Sequence, residues 1–458
     1  MEMIKKFFEP VDMTEGTPWK KIVFFTIPML VGNIAQQLYN TVDSVVVGNY
    51  VGDNALAAVG SAGPILNLLI VLFVGISVGA GIMVSQYFGA KEREELSTTI
   101  GNCITLTGIA MAFVMVVASL VARPLLELLD TPESIIDWCH TYLLILFIGS
   151  GGMAFYNILS GILRGLGDSM SALLYLLVST FVNIVLDLLF VAKLDMGVNG
   201  VALATVIAQV ISALLCLFRL MKMTDLFDLK SVYLKLQKKH TMKIIQLGLP
   251  SGITQAIFSM AMIVVQSLTN SFGEMFIAAN VIIMRVDGFA MMPNFSFGTA
   301  MTTYAGQNVG AKMYDRVEKG AKQGTAIAMG TSAVLTGMIL LFGKALMGIF
   351  TKTPELVELS RDMMGILAVG YIAMAVTQSL SGVMRGAGDT VTPMWISIVT
   401  TVLIRVPVAY GIAFLTRSPE FPGGRQECVF ISLLASWVFG ALITFFFYKH
   451  GKWKEKAV

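Results

Sequence analysis

Three aspartates interrupt long apolar stretches of this sequence: Asp43, Asp187 and Asp287. If these stretches cross a membrane, a carboxylate with no partner costs roughly 2.5–3.5 kcal/mol at the bilayer centre. Arg285 and Arg405 lie in similar apolar surroundings. Each of these groups therefore needs an opposite charge, a proton or a bound ion.

The residues around Asp43 place it on a polar helix face. Asn33, Gln36, Asn40 and Asp43 recur at steps of three and four residues, and Tyr39 lies one turn before Asp43. This spacing puts the four residues on one side of a helix. We expect that side to face the protein interior.

Asn183 and Asp187 offer a complementary pair, one helical turn apart in a segment of Val, Leu, Ile and Phe. Two aspartates that share an interior could hold a proton between them, or form an oxygen cage for Na⁺ with amide and hydroxyl oxygens. A buried polar network that only fixes helix register is the third possibility. The residues alone leave all three open, and they do not choose between H⁺ and Na⁺.

Asp287 allows two interpretations. It lies two residues from Arg285, which puts the two side chains on roughly opposite helix faces. Asp287 could neutralise Arg405 or Arg285 inside the fold, or it could face a cavity and bind a cationic substrate. The predicted cavity residues are Gln36, Asn40, Gln255, Gln378, Asp287, Arg285, Met260 and Met291. The two methionines, among 29 in the chain, are either adaptable cavity lining or packing filler.

Composition shows which elements must position these groups. The chain is 56% hydrophobic and 13% charged, with a mean hydropathy of +0.76, whereas soluble domains are about a quarter charged. Spanning a bilayer takes about 20 apolar residues. The sequence predicts an all-α integral membrane protein with twelve such helices, at about 18–47, 55–85, 96–122, 134–162, 170–192, 197–221, 243–269, 276–303, 320–346, 357–384, 391–415 and 427–448.

The two halves of the chain repeat each other. Ser160–Asp168 recurs 221 residues later as Ser381–Asp389, and Gln86–Lys91 recurs as Gln307–Lys312. Six helices per half imply two lobes related by a pseudo-two-fold axis near the membrane normal. We predict an N-terminal lobe at 1–222, a cytoplasmic linker at 223–242 and a C-terminal lobe at 243–458.

The charges predict orientation and exclude several functions. Lys and Arg are concentrated on one side, including Lys238 and Lys239 in the linker, which predicts that both termini are cytoplasmic. They form no stripe with interleaved aromatics, so nucleic acid is not an expected partner. The four cysteines and three histidines are scattered, and no phosphate-binding loop occurs. We therefore expect no disulfide, no catalytic metal and no enzymatic activity.

A duplicated bundle can expose one cavity alternately to each side of a membrane, as secondary transporters do. A static scaffold is the alternative, but a scaffold has no reason to keep charged groups in lipid. Pro28 lies inside the first predicted span. It could be a hinge coupled to protonation of Asp43, or only a static kink.

These features together resemble the multidrug and toxic compound extrusion (MATE) family, over nearly the whole chain. The resemblance rests on twelve spans in two lobes, the Gln-x-x-Gly-Ala element after spans 2 and 8, and the Arg-Gly-x-Gly-Asp turn after spans 4 and 10. It implies a cation-coupling site in the N-lobe, built from Tyr39, Asp43, Asn157, Asn183, Asp187 and Thr205. Na⁺ would be held at Asp43, Asn183, Asp187 and Thr205.

The second half departs from the pattern of family members whose cation site lies in the C-lobe. Span 7 has no acidic residue, and Ile404 and Val408 stand at the repeat positions of Asn183 and Asp187. The chain therefore resembles the DinF-like branch of the multidrug/oligosaccharidyl-lipid/polysaccharide flippase superfamily.

The resemblance implies a multidrug efflux antiporter that exports small organic cationic or amphipathic compounds, driven by inward H⁺ or Na⁺, with no cofactor. The alternative is a flippase for a lipid-linked saccharide or another amphipathic lipid. We expect a monomeric, multi-pass protein of a prokaryotic cytoplasmic membrane, with membrane lipid and small molecules as its partners.

Overall fold

The computed structural model describes residues 9–128 and 131–457, apart from the side chains of residues 40, 43–45, 48, 53, 54, 56, 57, 60, 61, 63, 64, 67–70 and 72. Within these bounds the chain is helical and contains no strand. In chain order the helices are α1 Pro18–Tyr50, α2 Asp53–Ala90, α3 Arg93–Leu128, α4 Glu133–Ile148, α5 Ser150–Gly165, α6 Ser169–Asp187, α7 Gly197–Met221, α8 Lys238–Asn270, α9 Glu274–Gly310, α10 Tyr314–Gly348, α11 Pro354–Ala368, α12 Gly370–Gly386, α13 Val391–Ile398, α14 Val406–Leu415 and α15 Cys428–His450.

The predicted all-α membrane architecture is confirmed. Ten spans in the described part of the chain are long and apolar enough to cross a membrane individually. Two further helix pairs pass the same criterion together, α4 with α5 and α11 with α12, and they bend by 50° and 41°. Counting each bent pair once gives twelve spans. Helices suit this setting because they satisfy every backbone hydrogen bond within the segment.

Contacts between helices divide the chain into two compact units. The first contains residues 9–12 and Ile27–Gly252. Its apolar cores lie between α2, α3, α5 and α7, and between α2, α3 and α4. The first turns of α8 pack closely on α2, where a β-carbon on Gly79 would lie 2.3 Å from the Ile244 carbonyl oxygen. Glycine therefore allows this close approach of two helices.

The second unit contains Met13–Thr26 and Ile253–Ala457. Tyr371, Phe276 and Phe430 are fully buried in its core. Phe276 meets Phe430 edge to face, with ring centroids 5.9 Å apart. Tyr371 packs on Trp437 of α15 with ring centroids 5.7 Å apart, so these aromatic contacts join α9, α12 and α15 around one apolar centre.

The unit boundaries differ from the ends of the sequence repeats. Residues 223–252 group with the first unit, and Met13–Thr26 group with the second. Along the described residues the unit changes three times, and the changes after Thr26 and after Gly252 occur inside a long helix and beside a proline, at Pro28 in α1 and at Pro250 in α8. Proline removes one backbone hydrogen bond and so weakens the helix locally. The lobe boundaries at 222 and 243 remain predictions of the sequence repeat.

Candidate functional site

Helices α6 and α7 pack antiparallel, and two hydrogen bonds fix their register. The Ser179 hydroxyl donates to the Ala208 carbonyl at 3.0 Å, and the Ser212 hydroxyl donates to the Tyr175 carbonyl at 3.2 Å. Because antiparallel neighbours keep this register, the next turn of α6 faces the stretch of α7 that contains Thr205. The contact therefore determines which side chains can meet.

Asn183 follows Ser179 by one turn on this contact face, and Asp187 follows by another. Both side chains are fully buried, at 0% exposed. The register of the two serine bonds places Asn183 level with Ala204, next to Thr205, and Asp187 nearer the start of α7. Asn183 and Asp187 thus form a polar face on an otherwise apolar helix, and together with the neighbouring Thr205 we call them the polar stripe.

Helix α1 reaches the same stripe through Tyr39. The Tyr39 hydroxyl donates to Thr205 Oγ1 at 3.2 Å, and the tyrosine side chain is 9% exposed. This bond joins helices whose residues are 166 positions apart in sequence. Of the six residues implied by the family resemblance, Tyr39 and Thr205 are therefore in contact, whereas Asn183 and Asp187 lie on the face of α6 that packs on α7.

Asp43 follows Tyr39 by one turn of α1, but its side chain lies outside the described residues, as does that of Asn40. The predicted approach of Asp43 to Asp187 thus remains a prediction. Helix geometry alone places the Asp43 position on the Tyr39 side of α1.

Asn157 lies in α5, which packs on α2 and α7. Its side chain donates to the Met153 carbonyl in its own helix at 2.8 Å, and its carbonyl accepts from Ser77 at 2.7 Å. The described hydrogen bonds of Asn157 therefore fix α5 against α2.

The chain changes its helical pitch directly after Asp187. Leu188–Lys193 forms a π-helical turn, whereas Ser169–Asp187 is α-helical. Single π-helical turns inside α-helices are frequent at functional sites. The polar stripe can hold a proton, or it can coordinate Na⁺ through carboxylate, amide and hydroxyl oxygens.

The second unit carries a different polar cluster. The Tyr371 hydroxyl donates to Asp287 Oδ1 at 2.9 Å, and the Asp287 carboxylate also interacts electrostatically with Arg405. Arg405 Nε is buried and has no hydrogen-bond partner in the described part of the chain. Arg285 is exposed. Of the two arginines considered from sequence, Arg405 is thus the one whose charge the structure places near Asp287.

The remaining predicted cavity residues vary in exposure. Gln36 and Gln255 are exposed, and Gln378 is partly buried beside Gly298. Met260 is 67% exposed, whereas Met291 belongs to the core of the second unit. The predicted hinge Pro28 is buried within α1.

Sequence reasoning missed the partners of the repeated Arg-Gly-x-Gly-Asp turn. Asp168 caps α6 by accepting from the Ser171 amide at 2.9 Å, and it pairs with Arg219 of α7 at 2.9 Å. Gly167 has a φ of +88°, a backbone conformation that glycine adopts readily. An aspartate before a serine-rich helix start is a recognisable cap signal, but nothing local points to Arg219.

The second Gln-x-x-Gly-Ala element also has partners that the sequence did not reveal. Gln307 Oε1 accepts from the Met13 amide at 2.8 Å, and Asn308 donates to the Met13 carbonyl at 3.1 Å. Arg316 donates to the carbonyls of Met13, Glu15 and Gly16. This element therefore holds the segment that precedes α1.

Known proteins resemble this chain over almost all of its length. The MatE family model matches residues 28–189 and 250–411. The probable multidrug resistance protein YoeA of Bacillus subtilis (strain 168) is 30% identical over 448 residues, which cover 96% of this chain and 95% of the relative. The probable multidrug resistance protein YpnP of the same strain is 28% identical and covers 97% of both chains.

A solved structure shares the fold. An outward-facing multidrug resistance MATE family transporter of the MOP superfamily superposes with a TM-score of 0.89 at 25% identity, and the match covers 96% of this chain and 97% of the other.

Proposed function

Because this chain belongs to the MATE family of multidrug efflux transporters, we propose that it exports small organic cationic or amphipathic compounds in exchange for inward H⁺ or Na⁺. Members of the family are transporters and not enzymes, and they need no cofactor. We place the protein in a prokaryotic cytoplasmic membrane, in keeping with its bacterial relatives, and we propose that a single chain suffices because both halves of the repeat lie in it.

The observation that carries this proposal is the polar stripe of Asn183, Asp187 and Thr205, in which Asn183 and Asp187 are fully buried and which Tyr39 joins from α1. Burying a carboxylate among apolar helices costs several kcal/mol unless a proton, a cation or a polar partner compensates. The repeat position of Asp187 in the second half is Val408. The second half therefore has no carboxylate at this position, as expected if coupling takes place in the first half.

We propose that Asp43 completes the site from the turn after Tyr39, and that Asn157 contributes from α5. Protonation or Na⁺ binding at Asp43 and Asp187 would remove net negative charge from the site. Exchange requires that the ion and the exported compound stabilise different conformations, since a ligand shifts an equilibrium only by its difference in affinity between the states.

Pro28 supports a hinge in this scheme. The residues of α1 change from one compact unit to the other beside Pro28, so bending there would move Tyr39 and Asp43 without unfolding the helix. A charge change at Asp43 would then favour one bend of α1 over another. We propose that the exported compound is bound by residues drawn from Gln36, Asn40, Gln255, Gln378, Asp287, Arg285, Met260 and Met291.

The multidrug resistance relatives favour export of small molecules over flipping of a lipid-linked saccharide.

A direct test is transport of ethidium by purified protein in proteoliposomes, under a pH gradient alone and then under a Na⁺ gradient alone. Transport under either gradient, and its loss in Asp43→Asn, supports the proposal. Equal transport with both gradients collapsed would refute ion exchange.

A further inference from the structure

A cleft lies in the first unit, between the last turns of α2 and the first turns of α8. It encloses about 520 Å³ and is lined by Met83, Tyr87, Lys238, Lys239, His240 and Lys243, among others. It lies where membrane-spanning helices end, on the side that the Lys and Arg distribution predicts to be cytoplasmic. The coupling residues Asn183 and Asp187 are not part of it.

The lining of the cleft is positively charged. Lys238, Lys239 and Lys243 come from the first two turns of α8, and the start of a helix adds the positive end of its dipole. Glu95 lies 4.0 Å from Lys239 and 2.8 Å from His240 Nε2, and Glu92 joins Glu95 in acting electrostatically on Tyr87 of the lining. Three lysines therefore outnumber these two carboxylates, which favours an anionic ligand.

His240 adds a buried polar group to this lining. It is 3% exposed and its ring lies beside Tyr87, with centroids 6.1 Å apart. Its Nδ1 is buried and has no hydrogen-bond partner among the described residues. A buried polar nitrogen without a partner is costly, which points to a polar ligand group beside this ring.

The apolar part of the lining identifies the kind of anion. Met83 is 1% exposed at the base of the cleft, and Met242 is 46% exposed at its edge. Lysines beside apolar side chains at the ends of membrane helices match a phosphate head group with its attached acyl chains. We propose that this cleft binds the head group of an anionic phospholipid from the cytoplasmic leaflet.

Lipid retention measures this binding. The full chain, purified in detergent, is mixed with phosphatidylglycerol or phosphatidylcholine, and the bound lipid is counted by native mass spectrometry. The test variant is Lys238→Gln/Lys239→Gln/Lys243→Gln. The matched control removes three exposed lysines of the second unit, as Lys319→Gln/Lys322→Gln/Lys449→Gln.

We expect the wild type and the control to retain phosphatidylglycerol over phosphatidylcholine, and the test variant to lose this preference by at least about tenfold. The variant Lys238→Gln/Lys239→Gln leaves the partly buried Lys243 in place. It should lose a smaller part of the preference for phosphatidylglycerol. Equal retention by the test and control variants would overturn the proposal. Full displacement of phosphatidylglycerol by millimolar inorganic phosphate at constant ionic strength would also overturn it, because it would identify a site for free phosphate.

Discussion

Asp168 and Asp389 occupy the same place in the two copies of the repeat, and replacing each by alanine tests what this turn contributes to stability. Asp168 accepts hydrogen bonds from the Ser171 amide and hydroxyl at 2.9 and 2.8 Å, and from Arg219 Nε at 2.9 Å. Asp389 accepts from the Thr392 amide and hydroxyl at 3.2 and 2.7 Å. Each aspartate accepts two capping bonds in its own copy of the repeat, and Asp168 also accepts a hydrogen bond from Arg219.

The expected magnitudes follow from these contacts. Loss of a helix cap costs about 1 kcal/mol in either copy. Asp168 is 1% exposed and the Arg219 side chain is 24% exposed, so their charged hydrogen bond adds about 1.5–3 kcal/mol. We therefore expect Asp168→Ala to lower the free energy of unfolding by about 2.5–4 kcal/mol, and Asp389→Ala by about 1 kcal/mol.

The assay is unfolding of the purified protein in mixed detergent micelles with increasing dodecyl sulfate, followed by tryptophan fluorescence. A double-mutant cycle of Asp168→Ala with Arg219→Met isolates the pair. Asp137→Ala is a suitable control because Asp137 is 78% exposed in its pair with Arg123, and it should cost under about 1 kcal/mol. Equal losses for Asp168→Ala and Asp389→Ala, or a coupling energy near zero, would refute the reasoning.

Three further predictions concern packing, the segment before α1, and pH. Gly79→Val should reduce the yield of monodisperse protein far more than Gly108→Val, because a β-carbon at Gly79 meets a backbone oxygen of α8 at 2.3 Å and one at Gly108 meets nothing within 4 Å. Arg316→Gln should speed amide hydrogen exchange just before α1 by about tenfold or more, since it removes bonds to three backbone carbonyls. The hydrogen bond from Arg93 holds the pKa of Asp228 below its usual range. The free energy of unfolding that Asp228 adds relative to Asp228→Asn should therefore persist above about pH 4 and disappear as the pH falls through the lowered pKa. A stability difference that grows in acid would contradict this.

Much of the helical architecture could be predicted because long apolar segments leave the backbone no alternative in lipid. The bends could not be predicted in the same way. The α4 to α5 break falls at Gly149, where a β-carbon would lie 2.3 Å from Val206 of another helix. That constraint comes from packing between distant segments, and hydrophobic periodicity does not report it.

The polar stripe was partly predictable for the same reason. A carboxylate such as Asp187 in an apolar helix must be buried with partners, so its chemistry could be inferred from residue type and spacing. The bond between Tyr39 and Thr205 joins positions far apart in the sequence, and only the family resemblance pointed to both. Tyr371 was missed as the partner of Asp287, because a tyrosine in an apolar helix carries no local signal of its contact.

Asp187→Asn in proteoliposomes tests the coupling site most directly, with Asp287→Asn as the matched replacement in the second unit. The measurement is ethidium transport under the driving gradient, alongside ethidium binding to the same purified protein. We expect Asp187→Asn to reduce gradient-driven transport on the order of 5- to 150-fold, which is the range that a typical coupling energy gives. Ethidium binding by Asp187→Asn should be retained. Transport by Asp287→Asn should still depend on the gradient. Full gradient-driven transport by Asp187→Asn would contradict the assignment of coupling to this stripe.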